Sequence, residues 1–390
     1  MNWIGMKDLR GNGMLRVLSI QSDILGNKIY SEVLRKYLND TGEVAVDSHW
    51  YNTDRSLPTR VINRMASFST PILDTHGRNF DLRRARVEWS YGRTSRILTQ
   101  RLLAAGDYQL LHFHTQIQAY SALSVMKRIP TVITTDMTAV LASRQSTTQF
   151  PSTYRINIEL DRRVFRAAAH TVVFTDWARR SVIEDYGISP DKVTVIPPGS
   201  RLETFSEPSF TKHSTIKILF IGGDFSRKGG WDLLEVFAKS FQGRAELHLV
   251  TTEKISSPLA NVFVHNNIHP YTSAWHEILH TSDILAVPSY AEPYGLVFQE
   301  AGGYGLALIG GRIGGIPEII IEGESGFLIN PGNHQQLGEA LNALISNPAL
   351  LETMRKKSRR IALERFDAKR NTSRLATRLV EVYQQSRSTG

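Results

Sequence analysis

Short runs of β-branched and aliphatic residues alternate along this chain with longer segments of helical spacing. In the first half Leu15–Ile20, Val44–Asp47, Leu110–His114, Thr131–Thr135 and Thr171–Phe174 read as strands. Between them, Tyr30–Leu38 and Val87–Leu103 carry apolar residues at helical intervals. Val87, Tyr91, Leu98 and Leu102 share one face, as do Ile156, Leu160 and Val164 in segment 152–168. The Pro/Gly/Ser-containing interval Pro197–Thr215 has no period and reads as a linker. The alternation restarts with strand Ile216–Ile221, helix Trp231–Phe241 and strands Glu246–Val250, Val262–Val264 and Ile284–Val287. A glycine-rich centre follows, then helices near 334–346 and 348–364 and a last one over about 367–386. This order predicts an α/β protein of parallel sheets with crossover helices, its ligand cleft at the carboxyl ends of the strands.

Length and composition sharpen this expectation. At 390 residues the chain accommodates two domains with separate cores. Its 41% hydrophobic and 21% charged residues are those of an ordinary globular protein. No run of 18 apolar residues is present, and the first residues lack a signal-peptide pattern. The expected location is the cytoplasm, with Met14 a candidate functional start of the fold. The absence of cysteine excludes disulfides, thiolate metal sites and cysteine nucleophiles.

The net charge of +9 is unevenly distributed: residues 1–200 hold 26 Lys/Arg against 18 Asp/Glu, residues 201–390 only 20 against 19. Arg83, Arg84, Arg86, Arg93 and Arg96, within the stretch Arg78–Arg101, are opposed by Asp81 and Glu88 alone. Such a stretch fits an anionic membrane surface, an acidic acceptor or a solvated helix face. Trp89 and Tyr91 are candidate interfacial anchors, with Tyr91 expected toward the core. Without a basic–aromatic array, the charge does not predict nucleic-acid binding.

The candidate chemistry concentrates in the second half. Glu292 and Glu300 stand eight residues apart around a Pro-Tyr-Gly turn. With a helix beginning near Gly295 they span up to about 12 Å, and free N–H groups between them would favour an anion or a hydroxyl. Upstream, Gly222 and Gly223 end a strand, and Arg227 and Lys228 precede Gly229 and Gly230. That arrangement converges two cations and a helix N-terminus on one anion. No Asp-x-Asp motif follows a strand to hold a divalent ion. Nor does a strand-linked G-x-G-x-x-G precede an acidic residue about 20 positions on, which argues against a dinucleotide-dependent dehydrogenase.

The run Glu292–Glu300, followed by Ala301-Gly302-Gly303-Tyr304-Gly305, Gly310-Gly311-Arg312-Ile313-Gly314-Gly315-Ile316-Pro317-Glu318 and Gly326-Phe327-Leu328-Ile329, resembles the nucleotide-sugar half of family 4 retaining glycosyltransferases. Ile218–Gly223 with Arg227–Gly230, the segment Val195–Gly199, and His112-Phe113-His114 are similar to further segments of that family. The resemblance covers roughly residues 14–385.

It implies a GT-B fold of two facing Rossmann-like domains: an acceptor-side domain 1–200, a nucleotide-sugar-binding domain 201–366, and a helix 367–390 packing back on the first. It also implies a retaining, metal-independent hexosyl transfer with no cofactor, serving polysaccharide, lipopolysaccharide or glycolipid synthesis. Glu300 would accept the ribose hydroxyls and Glu292 a hydroxyl of the sugar. Lys228 would serve the diphosphate, and the backbone N–H groups of Tyr294, Gly295 and Leu296 the sugar or phosphate. Gly222 and Gly223 would form the glycine turn.

The family's arginine after the first of these glycines is replaced by Gly223, and Arg227 is expected to supply the guanidinium. Asn267 lies in the base-reading loop 265–268, which departs from the usual glycine-containing pattern and leaves uracil versus guanine open; UDP is favoured over GDP as the donor nucleotide. His114 would lie near the anomeric carbon, with Asp136, Gly26 and Asn27 as weaker acceptor-side candidates. A saccharide or lipid-linked hydroxyl is the expected acceptor. The alternative is a nucleotide-sugar-binding protein of the same fold without transferase activity.

Overall fold

The computed structural model describes residues 14–23, 26–53, 56–68, 82–145, 151–201, 215–255 and 259–388. The first half contains β1 (Leu15–Gln21), α1 (Gly26–Tyr37), β2 (Val44–Trp50), α2 (Leu57–Ser67), α3 (Leu82–Ala105), β3 (Leu110–His114), α4 (Leu123–Met126), β4 (Thr131–Thr135), α5 (Ala139–Gln145), α6 (Arg155–Ala167), β5 (His170–Val173), α7 (Asp176–Glu184) and β6 (Val193–Val195). The second contains β7 (Ile216–Ile221), α8 (Gly230–Ser240), β8 (Ala245–Val250), β9 (Val262–His265), α9 (Ser273–His280), β10 (Ile284–Val287), α10 (Leu296–Gly303), β11 (Ala307–Gly311), α11 (Ile316–Ile319), β12 (Gly326–Ile329), α12 (His334–Ser346), α13 (Pro348–Arg365) and α14 (Ala368–Ser388).

The strands form two six-stranded sheets, ordered β2-β1-β3-β4-β5-β6 and β12-β11-β10-β7-β8-β9. Every strand pairing is parallel. Helices cover both faces, so central strands such as β3, β4 and β10 are buried along their whole length and read as continuous apolar or β-branched runs. Chain order reverses between β1 and β3 in the first sheet and between β7 and β10 in the second. Ligand crevices of open α/β sheets lie at such reversals.

Three strands escaped the sequence reading. β6 has only three residues, while β11 and β12 lie within the glycine-rich run, where Gly310, Gly311 and Gly326 replace the β-branched residues that usually mark a strand. The expected inner face of α3 also differs. Val87, Tyr91 and Leu102 are only half-buried, and the buried stripe is Ala85, Ser90, Gly92, Thr94, Ser95 and Thr99 with Leu98. These small side chains let α3 lie close to the turn Gln116–Ala119; a Cβ on Gly92 would come 2.9 Å from the Ile117 carbonyl oxygen.

The interval read as a linker begins in ordered backbone. Ser200 is buried, its N–H donates to the Phe366 carbonyl at 2.8 Å, and its own carbonyl accepts from Ala368 N–H at 3.1 Å. The chain's two passages between the sheets therefore run side by side; residues 202–214, the rest of that interval, lie outside the described residues. Beyond this crossing, α14 packs on the first half: Ala368 joins Val33 and Tyr37 of α1, and Thr377 donates to Glu43 at 3.0 Å. A continuous apolar cluster links the halves through Phe174 and Tyr294, whose rings meet edge-on at 5.6 Å.

One buried ion pair anchors α13 beneath the second sheet. Arg355 Nη1 meets Asp283 Oδ1 at 2.9 Å and Arg355 Nε donates to the Gly305 carbonyl, while Asp283 Oδ2 accepts from Lys217 N–H. Replacing Arg355 by Met would leave a buried carboxylate without its counter-ion, a change that typically destabilises by about 3–5 kcal/mol. Urea unfolding of Arg355→Met is expected to show that loss, and an unchanged midpoint would contradict it.

Candidate active site

The loops at the two chain reversals carry most of the candidate residues. After β7, Gly222 and Gly223 lead through a turn to Arg227 and Lys228, and α8 begins at Gly230. A Cβ on Gly222 would lie 2.9 Å from Lys228 Cγ, so that glycine makes room for the lysine stem. Gly223 is exposed and its backbone carbonyl accepts from Thr252 Oγ1 at 3.2 Å.

After β10 the chain reaches Glu292, a buried carboxylate paired with Lys228 Nζ. Arg227 Nη1 donates to the Ala291 carbonyl at 2.7 Å, beside Glu292, while its Nε meets Asp224 Oδ2 at 3.0 Å. The structure thus brings Arg227, Lys228 and Glu292 together; Asp224 takes part of the guanidinium's hydrogen-bonding capacity.

α10 starts at Leu296 after Gly295, whose φ of 93° lies in the region that favours glycine. The Tyr294 ring is turned into the core, its hydroxyl paired with Gln299, so only its backbone could serve the candidate ligand. The loop after β11 closes this turn from below. Gly314 has φ of 58°, and a Cβ there would lie 1.7 Å from the Glu292 carbonyl oxygen. Across the cleft, Gln145 of α5 reaches the same carbonyl at 3.5 Å. Gly26 opens α1 opposite the start of α10, with its Cβ position 3.7 Å from Leu296 Cδ1, and Asn27 is half-buried beside it.

Burial pushes the half-buried Asp136 carboxyl after β4 up to about 6, and the Glu292 charge adds to the shift. His114 ends β3 as expected, but its ring has no exposed surface. It packs edge-on against Tyr30 at 4.9 Å; Nδ1 lies 3.1 Å from Ser31 Oγ, and Nε2 has no hydrogen-bond partner. Burial, with a smaller contribution from His112, lowers its pKa to about 3, so the ring is neutral at physiological pH. The ring thus lies behind Tyr30, which itself packs against Phe174 at 4.8 Å.

At the other end of α10, Glu300 is buried and accepts a 2.5 Å hydrogen bond from the Tyr271 hydroxyl. Burial pushes this carboxyl up to about 7, although Tyr271 and Arg201 both act to lower it. Asn267 is exposed in its loop, which Asn266 braces by donating to the Thr251 and Glu253 carbonyls at 3.0 and 2.7 Å.

Tyr271, Arg201 and Gln145 had no sequence signal, because each reaches the site from a separate segment without a motif. Glu318 lies in the quoted glycine-rich run, yet its role emerges only in three dimensions. Its two oxygens accept the Asp176 and Trp177 N–H groups, each at 2.8 Å, tying α11 to the start of α7 in the other half.

Comparison with known proteins accords with this geometry. A model of the glycosyl transferases group 1 matches residues 203–361, and one of Glycosyltransferase Family 4 matches residues 52–204. A D-inositol 3-phosphate glycosyltransferase of Pseudarthrobacter chlorophenolicus is 25% identical over 272 residues, 63% of this chain and 64% of the relative. An MMP alpha-(1->4)-mannosyltransferase of Mycolicibacterium hassiacum is 25% identical over 59% of this chain and 57% of its own. The chain spans less than two thirds of the length of these two relatives.

Among solved structures, sucrose-phosphate synthase of Thermosynechococcus elongatus aligns with a TM-score of 0.72 at 18% identity, over 96% of this chain and 100% of that one. HepE of Anabaena in complex with UDP-glucose aligns with a TM-score of 0.66 at 17% identity, over 94% and 100%. These structural likenesses establish the fold, which is GT-B. The chain belongs to the group 1 glycosyltransferases.

The raised Glu300 carboxyl has a consequence for stability. Its folded pKa of about 7 stands above the ordinary 4.5, so the protonated form suits the fold and ionisation opposes it. The penalty accumulates as pH rises from about 4.5 to about 7 and then stays constant at about 3 kcal/mol, at 1.36 kcal/mol per unit. Glu300→Gln should therefore unfold at higher urea than wild type at pH 8, with the gap closing toward pH 4.5. Equal midpoints at pH 8 would mean that Glu300 ionises without penalty.

Proposed function

We propose that the protein transfers a hexosyl group from a nucleotide diphosphate sugar, with UDP favoured over GDP, to a hydroxyl of a saccharide or lipid-linked acceptor, retaining the anomeric configuration. The convergence of Arg227, Lys228 and the α10 N-terminus around buried Glu292 carries this reading. Residues 1–200 serve as the acceptor side, residues 201–366 as the donor side, and residues 367–390 as the returning helix.

In the transfer, the bond from the anomeric carbon to the diphosphate oxygen breaks and a bond to the acceptor oxygen forms on the same face. The acceptor's proton passes to the departing phosphate oxygen, giving the glycosylated acceptor and a nucleoside diphosphate. Lys228 and Arg227 stabilise the charge growing on the diphosphate, as fixed cations aimed at a developing anion do. Glu292 holds a sugar hydroxyl, Gly222, Gly223 and the N–H groups of Gly295 and Leu296 line the phosphate path, and Glu300 accepts the ribose diol. Asn267 borders the base. Asp136, Gly26 and Asn27 border the reacting centre on the acceptor side, with neutral His114 behind Tyr30.

Burial of His114 favours a second reading, a protein that binds the nucleotide sugar without transferring it. Release of nucleoside diphosphate that depends on acceptor separates the two.

Lys228→Ala and Glu300→Ala are each expected to lower turnover at least about tenfold while the fold survives, since a hydrogen bond to a charged group contributes about 1.5–3 kcal/mol. Arg227→Ala should weaken donor affinity, and activity should persist in EDTA. Wild-type kinetics in both the Lys228 and Glu300 variants would remove the site assignment; loss in EDTA with rescue by magnesium or manganese would overturn the metal-independent mechanism.

The surface of the acceptor side supports peripheral attachment to an anionic membrane, on the inner face in a cytoplasmic setting. No helix among the described residues is long and apolar enough to cross a membrane. Arg84 is engaged by Glu88 and Tyr154, and Arg83 and Arg86 donate to the Ser67 and Phe68 carbonyls, so these arginines also brace the α2–α3 corner. Arg78 and Asp81 lie outside the described residues. Tyr91 packs on Tyr51 at 5.1 Å and is no anchor.

Instead, α2 and the residue that follows it present an apolar stripe: Leu57, Val61, Met65 and Phe68 are 71%, 48%, 71% and 65% exposed. Exposed Arg60, Arg64 and Arg93 lie on the same two helices, with half-exposed Trp89. A helix with an apolar face and basic flanks lies in a lipid interface, and its electrostatic part weakens with salt. The protein should co-sediment with anionic but not neutral vesicles, less as salt rises. Changing Leu57, Met65 and Phe68 to Ser, or Arg60, Arg64 and Arg93 to Glu, should reduce recovery. Equal recovery on both lipids would return this face to ordinary solvated surface.

A further inference from the structure

We propose that Tyr271 gates the nucleotide pocket, its phenol occupying on Glu300 the hydrogen-bond position that the ribose diol takes when donor binds. This rests on the ribose role of Glu300 stated above. Tyr271 precedes α9, and its Oη donates to Glu300 Oε1 at 2.5 Å. A ribose hydroxyl that takes the same acceptor position on that oxygen displaces the phenol.

The tyrosine's backbone points the same way. Its φ of 63° makes it the one non-glycine residue with positive φ among the described residues. A bulky residue in that conformation is unfavourable unless its surroundings impose it, and such positions recur at ligand clamps and switches. The contacts around the ring show what holds it: the Arg201 guanidinium lies over it at 5.0 Å, and Arg201 faces Glu32 of α1 at 3.8 Å. Arg201 follows the paired crossing at Ser200, and Glu32 belongs to the acceptor-side half. The position of the phenol is thus set partly by the other half of the molecule.

The exchange has a pH signature. The groups facing Glu300 are Tyr271 from the loop before α9, Arg201 from the crossing with Glu32 beyond it, and Tyr304 just after α10 with Arg359 of α13 beyond it. Tyr271 and Arg201 favour the ionised carboxylate, the form that accepts both ribose hydroxyls. Loss of the phenol removes the competitor and one of these two stabilising partners. Affinity for a nucleoside diphosphate should then become tighter once Glu300 is ionised, while the pH at which affinity develops moves upward.

The test measures binding of UDP, GDP and inorganic pyrophosphate to wild type, Tyr271→Phe and Glu300→Gln by calorimetry between pH 5.5 and 9. For whichever nucleotide binds, Tyr271→Phe should bind about five- to tenfold more tightly at pH 9 and show a higher midpoint. Its pyrophosphate affinity should be unchanged, because pyrophosphate has no ribose. Weaker nucleotide binding across the range would make the phenol a support of Glu300 and overturn the gate. Unchanged affinity and midpoint in Tyr271→Phe, with Glu300→Gln impaired, would overturn the gate alone. Wild-type binding by Glu300→Gln at every pH would remove the ribose assignment and the gate with it. Unfolding midpoints of the Phe variant establish that it is folded, and nucleotide binding by its Arg201→Lys counterpart gives an independent reading: loosening the ring should tighten the nucleotide and leave pyrophosphate unchanged.

Discussion

Parallel pairing is the constraint on which the rest of this structure depends. Strands that run the same way cannot be joined by hairpins; each needs a crossover that carries the chain back over the sheet. Every connection after a strand therefore emerges at one edge. Both sheets obey this, and His114, Asp136, Gly222, Lys228, Glu292 and Gly314 all end strands or follow them closely. The reversals at β1/β3 and β7/β10 part neighbouring loops and open room between them, and Gly26 with His114, and Lys228 with Glu292, stand there. Segments remote in sequence converge because topology gives their loops no other edge.

The charges at this edge are held against solvation. Glu292 is buried with Lys228 as its counter-ion, whereas Glu300 and Asp136 sit where burial raises their pKa toward neutrality. A fold selected only for stability would place apolar or amide groups at those positions. Carboxyls held out of their ordinary range in this way are the kind of group that candidate functional sites carry. Asp161 shows that perturbation alone is insufficient. It too is raised to about 7, yet Tyr120, Tyr186 and the Ala139 N–H enclose it within the first half, where it serves the core.

Several kinds of contact join the two halves. The aromatic series Tyr30, Phe174 and Tyr294 continues the apolar core between them. Glu318 satisfies N–H groups at the start of α7, a favourable place for a carboxylate at a helix N-terminus. Gln299 donates to the Pro198 carbonyl at 3.1 Å, and the backbone pairs Ser200 with its neighbours at the second crossing. These contacts surround the cleft, so the geometry at Glu292 and Glu300 depends on both halves.

The sequence by itself determined the class of fold, because alternating apolar strands and amphipathic helices admit few other arrangements. It also located the local motifs: Glu292 and Glu300 flanking a helix start, and Lys228 after a glycine turn, read as they do because neighbours in sequence remain neighbours in space. It did not reveal β11 and β12, whose glycines hide the β-branched signature, or the buried face of α3, where small side chains suit close packing and hydrophobic period is absent. Tertiary structure alone decided that Tyr30 covers His114, that Tyr271 reaches Glu300 from 29 residues away, and that Arg227 divides its guanidinium between Asp224 and the Glu292 turn. Those outcomes depend on how helices and loops seat against the sheets, and packing between distant segments leaves no period or motif in the chain.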